Sequence, residues 1–299
     1  MAFESQFLFT TIQVDEAAAL DSWEWMYEKA QEHQKRLVVN MSWGLYHFGT
    51  NDGTSLLSQA ITEYTDLGVL FVSSAGNNGS VNFHFQREFH NDSIKSRINF
   101  YDYALHDSLW GQSIHGWGEV GKNFDVKMQV RASDNSLLAE TVYFPTSMNG
   151  YDEGFLVVHS NNDTIWYTIA AQQAHPQNAR PTARLCVNNK NTNLRIDLVA
   201  RADEGNIHFW NLVMLTTNGG NWGMPFTSNG SGYIAGDKFF GIGEPSCAED
   251  ALTVAAHLSE YLHPNGVTLL GGSRADFSSI GPLYNGTMKP DVSAPGHNV

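Results

Sequence analysis

The segment from Leu37 to Gly79 constrains this chain more than any other. Leu37-Val38-Val39-Asn40-Met41-Ser42 is a short, mostly apolar run of strand-forming residues. Thr54 or Ser55 supplies an N-cap oxygen for a helix through Leu56, Leu57, Ala60, Ile61 and Tyr64 to Leu67, and Gly68 is its stop signal. Val69 to Ser73 is a second buried strand. Strand, helix and strand within about 40 residues make a βαβ unit, which requires a parallel sheet and a right-handed crossover. Upstream, Val14 to Lys35 reads as another helix, with Ala17, Ala18, Leu20, Trp23, Trp25, Met26 and Ala30 at its apolar positions. The second strand runs into Ser74-Ala75-Gly76-Asn77-Asn78-Gly79. Small residues there let backbones come close, and one asparagine amide is held at the end of a buried strand. An amide fixed in that way donates a hydrogen bond to the oxyanion of an acyl transfer.

From roughly residue 93 to 235 the texture becomes all-β. Phe124 to Val130 alternates apolar and polar residues. Thr141 to Phe144, Phe155 to Val158, Ile165 to Ile169, Ala183 to Val187, Leu194 to Val199 and Ile207 to Leu212 are further short strands. Ser133-Asp134-Asn135, Asn161-Asn162-Asp163 and Asp203-Glu204-Gly205-Asn206 read as the turns between strands. Many short strands at this spacing indicate a β-sandwich or jelly roll. The α/β texture returns with the strand Leu252 to Ala256. The expected fold is therefore α/β, a parallel-sheet core interrupted by an all-β sandwich insertion. The expected division is residues 1–92 and 236–299 for the core and 93–235 for the insertion.

The net charge of −14 argues against nucleic acid as a partner and against an anionic membrane surface. The sequence has no apolar run long enough to span a bilayer, so no membrane insertion is expected. Met1 to Ser5 shows neither a basic nor an apolar signal region. Cys186 and Cys247 have no metal-like spacing and read as two buried free thiols, with a disulfide between them as the alternative. No His, Asp and Glu set has ligand spacing, so no cofactor is expected.

Three stretches outside the β region combine into one resemblance. Val38-Val39-Asn40-Met41-Ser42-Trp43-Gly44, Val69 to Gly79, and Phe277-Ser278-Ser279-Ile280-Gly281-Pro282 followed by Lys289-Pro290-Asp291-Val292-Ser293-Ala294-Pro295-Gly296 resemble, in order, segments of the subtilisin-like serine proteases. The resemblance implies peptide-bond hydrolysis by a Ser/His/Asp triad, with Asn77 as the oxyanion residue. It implies that Ser42, Trp43 and Gly44, with Ser74, Ala75 and Gly76, are two edges that hold an extended peptide or protein substrate. Gly243-Glu244-Pro245 falls where the family has a pocket-lining glycine and a cis-proline. Family habit also implies export, a propeptide partner and structural calcium on loop carboxylates. The β region resembles the jelly-roll insertion of the Csp-type germination proteases. A clamp on the core is its expected role, with partner, propeptide or glycan binding through Trp110, Trp117, Trp166 or Trp222 as the alternative.

The family's D-[TS]-G, H-G-T-x-V-A and G-T-S-M-A motifs do not occur in these residues. Gly53-Thr54-Ser55, Asn285-Gly286-Thr287-Met288 and His115-Gly116 imitate parts of them and read as a helix cap, a turn and a β-region histidine. The chain is thus expected to be a fragment of an endopeptidase that carries the oxyanion side and is inactive alone. A pseudoprotease or binding module is the alternative.

Overall fold

The structure, a computed structural model, describes residues 4–11, 15–46, 49–101, 109–158, 163–189, 193–216, 222–267 and 269–297. The expected helix start at Val14 and the turn residues Asn161 and Asn162 lie outside these. Helix α1 spans Glu16–Glu32, and the Asp15 side chain caps it by accepting from the Ala18 backbone N–H at 2.7 Å. Strand β1 is Val38–Met41, helix α2 is Leu56–Asp66 and strand β2 is Leu70–Ser74. Ser55 caps α2 through the Ser58 N–H, which explains Gly53-Thr54-Ser55 as a helix start.

The antiparallel strands follow: β3 His84–Ile98, β4 Leu109–Trp117, β5 Asp125–Arg131, β6 Leu137–Glu140, β7 Phe144–Pro145, β8 Gly150–Val158, β9 Asp163–Gln172, β10 Thr182–Asn188, β11 Arg195–Leu215 and β12 Phe226–Thr227. The chain then returns through β13 Ala251–Leu258, the small pair β14 Tyr261–Leu262 and β15 Leu269–Leu270, and β16 Val292–His297.

The parallel sheet has the order β1-β2-β13-β16. One of its faces is roofed by both helices. Trp23 of α1 meets Phe71 of β2 edge-on at 5.1 Å, and Val39, Met41, Leu57, Ile61 and Ala251 complete that core. The opposite face is only partly covered: Val38, Leu70, Leu252 and Val292 are exposed there, while Val72 and Val254 are half-buried. Parallel sheets normally bury both faces.

The ten-stranded antiparallel sheet occupies the connection between β2 and β13, two strands that are neighbours in the parallel sheet. Its axis is β11. β3 pairs along most of one side of β11, while β5 takes the N-terminal half of the other side and β4 the C-terminal half. The sheet doubles back on itself, so Met128 of β5, Ile169 of β9, Leu185 of β10 and Phe209 of β11 share one core.

Two expectations need correction here. Asp203-Glu204-Gly205-Asn206 is no turn but lies inside β11. Gly205 takes φ +99° and, across the ladder, Asn91 takes φ +56°, so the two strands kink together and continue paired. Thr141 to Tyr143 are not strand; the pairing falls on β6 and β7 instead, because Thr141 turns its hydroxyl to the Val142 carbonyl and accepts from Met128 N–H. Strand pairing also begins earlier than the alternation indicates, at His84. Both cysteines are free and buried, as expected.

Candidate active site

β1 and β2 are adjacent and parallel, with Met41 opposite Ser73, so the residues after each strand emerge side by side. Ser42-Trp43-Gly44 forms one edge and Ser74-Ala75-Gly76 the other. The second edge is fixed from β13, where Val254 O accepts from Ala75 N–H at 2.9 Å. Across the slot, Leu45 and Glu244 exchange two backbone hydrogen bonds of 2.8 and 2.9 Å, which brings Gly243 beside both edges. The Glu244–Pro245 peptide is cis, as expected.

The turn after β2 is held from below. Gly76 has φ +98°, a conformation that side chains avoid. Gly76 O accepts from Ser279 N–H at 2.9 Å, and Ser279 Oγ accepts from Asn78 N–H at 3.0 Å. Gly79 lies so close to the same segment that a Cβ there would stand 1.9 Å from Ser278 O. Within this turn the two asparagines are treated oppositely. Asn78 is buried, and its Oδ1 accepts from Gly223 N–H at 2.9 Å. Asn77 is exposed at the slot, and its side chain has no hydrogen-bond partner among the described residues.

Asn77, Ser42, Trp43, Gly44, Ser74, Ala75, Gly76 and Gly243, the eight residues singled out from sequence, all line this one slot. Three further residues line it: Tyr46 and Ser246, which sequence reasoning missed, and Trp222, which it named only as a candidate for partner or glycan binding. Tyr46 follows the first edge by two residues and Ser246 follows Pro245, so their proximity in sequence was a usable signal. No local signal placed Trp222 at the slot, because it comes from the stretch between β11 and β12. Tyr46 is buried and donates to Gly241 O at 2.6 Å, and burial raises its pKa. Ser246 Oγ donates to Ser74 O at 2.6 Å and bracing of the second edge follows from it.

Behind the slot lies Glu244, fully buried. Its carboxylate accepts from Asn51 N–H and Ser58 Oγ, both at 3.2 Å. Burial outweighs these bonds and pushes its pKa up to about 7. The Cys247 thiol beside it is pushed well up, by burial first and the Glu244 charge second.

A second polar group ties β3 and β11 to the stretch that follows β12. Asp237 Oδ1 meets His84 Nδ1 at 2.9 Å, and His84 Nε2 meets His208 Nδ1 at 3.0 Å. The pair packs among Trp210, Phe240 and Tyr284. Burial lowers both histidines, His208 to about 2, and His208 is lowered further by the charges of His84 and Arg180. Nearby, Asn178 donates to Asp52 at 3.0 Å and the Arg180 guanidinium stacks 5.0 Å from the Tyr284 ring. His115 sits buried on β4, away from the slot lining. Among the described residues no cluster of three or more His, Cys, Asp or Glu is arranged to hold a metal. Among them, too, no helix is long and apolar enough to cross a membrane.

Fold and slot together define an α/β protein with a slot at the carboxyl ends of adjacent parallel strands, where such sheets place their sites. The chain belongs to the subtilase family: the Peptidase S8 model, described as the subtilase family, matches residues 1–299. Among solved structures it is similar to the CspB protease of Clostridium perfringens, with a TM-score of 0.65 and 19% sequence identity. The match covers 95% of this chain and 53% of that one, so this chain spans about half the length of that protein. No curated protein matches the chain.

Proposed function

We propose that this chain supplies the oxyanion and substrate-binding side of a subtilisin-like serine endopeptidase, whose Ser/His/Asp triad is not among its residues. The observation that carries the reading is the exposed, unpartnered Asn77 amide at the rim of a slot between two strand edges. An extended peptide adds to those edges as a strand, with main-chain hydrogen bonds for affinity and one side chain in the slot. Its scissile carbonyl then faces Asn77. As the carbonyl carbon becomes tetrahedral its oxygen gains charge, and a preplaced amide donor stabilises that charge without reorganising. The slot is lined by no His, Asp, Glu, Lys or Arg, so its serine hydroxyls have no base beside them in the lining, which supports an orienting role.

Taken alone, the chain is proposed to be inactive. Residues 1–92 and 236–299 form the core in this reading, and 93–235 form a jelly-roll-like insertion that clamps it. The Asn178–Asp52 bond, the Arg180–Tyr284 stack and a 2.9 Å bond from Trp210 Nε1 to Phe240 O support the clamp. Export and a propeptide partner are part of the same proposal and rest on family habit alone.

The test uses the complete protein encoded around this chain. Asn77→Ala is expected to lower kcat by roughly 10²–10³ with little change in KM. That is the magnitude carried by a family member's own oxyanion asparagine. A fluorophosphonate probe is expected to label no serine of the 299-residue chain. Labelling, or an Asn77→Ala enzyme with undiminished kcat, would refute the reading.

A further inference from the structure

Tyr46 is the buried residue on which the separate pieces of the slot converge. It follows Gly44 of the first edge by two residues, and its ring stands edge-on to Phe83 at 5.6 Å. A Cβ on Gly243 would lie 3.0 Å from that ring, and one on Gly76 would lie 3.1 Å from its oxygen. The ring thus fills the space between the Gly243 stretch and the turn that carries Asn77. Its oxygen is occupied as fully. The phenol donates to the buried Gly241 O at 2.6 Å, and side-chain hydrogen bonds join it to Ser279 and Asn78. With its own proton committed to Gly241, the oxygen accepts from the other two. Both of those residues hold the Asn77 turn. Ser279 Oγ accepts from Asn78 N–H at 3.0 Å, and Ser279 N–H donates to Gly76 O at 2.9 Å. Asn77 therefore sits between two residues, Gly76 and Asn78, that are each tied to the phenol or to its partner.

We propose that Tyr46 is a positioning residue for Asn77: its hydroxyl, bonded to Gly241, Ser279 and Asn78, fixes the turn so that the Asn77 amide is held at a set height above the two substrate edges. The inference rests on the endopeptidase reading. The phenol spends its bonds on protein groups and acts only through the turn. An oxyanion donor owes its effect to being in place before the charge develops, so a small displacement forfeits part of it. Phenylalanine at this position would keep the ring between Gly243 and Gly76 but leave the Gly241 carbonyl without the phenol's proton. Buried polar groups that lose a partner shift toward others, and here they would carry the turn with them.

The experiment is a double-mutant cycle in the complete protein on one peptide substrate, with wild type, Tyr46→Phe, Asn77→Ala and the two changes together. Tyr46→Phe is expected to lower kcat about 10-fold with KM unchanged, a part of the roughly 10²–10³ that the whole amide supplies. In the Asn77→Ala background the same change is expected to leave kcat unaltered, because no donor remains to be misplaced. A merely structural tyrosine would lower kcat by the same factor in both backgrounds. That result, or a Tyr46→Phe enzyme with undiminished kcat, overturns the assignment and leaves the endopeptidase reading standing. Where Tyr46→Phe melts early, Ser279→Ala decides, since it cuts the link from the phenol to Asn78 N–H and leaves the ring in place; it is held to the same outcomes. Undiminished kcat in Asn77→Ala itself overturns both.

Discussion

Glu244 should make the stability of this chain fall as pH rises, against the usual behaviour of a carboxylate. The side chain is fully buried, and its hydrogen bonds from Asn51 and Ser58 are long at 3.2 Å. Burial outweighs these and the Cys247 and Ser55 contacts and pushes its pKa to about 7, where an exposed glutamate has 4.5. The folded state therefore holds a proton that the unfolded state has released, so the folded state is favoured least where both would ionise. Its penalty is absent below the unfolded pKa, grows from pH 4.5 to about 7 and is constant above that. A displacement of roughly two and a half pKa units corresponds to about 3 kcal/mol at alkaline pH, of which 2–3 kcal/mol develops between pH 5 and pH 8. Glu244→Gln keeps the shape and an acceptor for Asn51 but carries no proton to lose. Urea unfolding of wild type and variant at the two pH values isolates the effect, because every other titration cancels in the difference. Wild type should lose about 2–3 kcal/mol relative to the variant on going from pH 5 to pH 8. A difference constant to within about 0.5 kcal/mol would show that Glu244 is ionised and solvated in the folded chain, and the buried-carboxyl argument would fail.

His208 works in the opposite direction. Its pKa of about 2 means the folded state resists a proton that the unfolded state accepts below pH 6.5, so stability drops on acidification. His208→Asn should recover about 2 kcal/mol relative to wild type between pH 8 and pH 5 in the same unfolding assay, and an unchanged difference would refute the burial argument. Gly79→Ala tests the support of the Asn77 turn: a Cβ 1.9 Å from Ser278 O forces the backbone apart. Expected are a loss of roughly 1–3 kcal/mol and a shifted Asn77 side-chain amide resonance, and an undisturbed resonance would show that the turn does not depend on that contact.

The parallel half was legible because its signals are local. The Ser55 cap, the α2 apolar stripe and the β2 run are each read from a few neighbouring residues, and the βαβ rule then fixes the strand order. The slot was legible for the same reason, since both edges directly follow predicted strands. The antiparallel half was read less well. β11 carries residues that make turns elsewhere, and only its pairing with a matching kink in β3 keeps it extended, a fact that lies more than a hundred residues away in the chain. Trp222 shows the limit most directly. Nothing in its neighbourhood separates it from Trp166, which is equally exposed, or from Trp117, which is buried under Tyr284. Which tryptophan reaches the slot is decided by Asn78 and Phe83, through one hydrogen bond and one glycine contact from the stretch just before β3.

The partly covered face of the parallel sheet governs how this chain behaves in bulk. Val38 and Leu70 lie opposite one another, Leu252 and Val292 step further along β13 and β16, and all four are exposed. An exposed apolar patch of that kind is a site for self-association, restrained here mainly by the mutual repulsion of chains carrying a net charge of −14. Salt shortens the reach of that repulsion to about 10 Å at 0.1 M. Purification and crystallisation of the chain therefore pull against each other: the ionic strength that quiets non-specific binding to resins is the same one that lets two such faces meet.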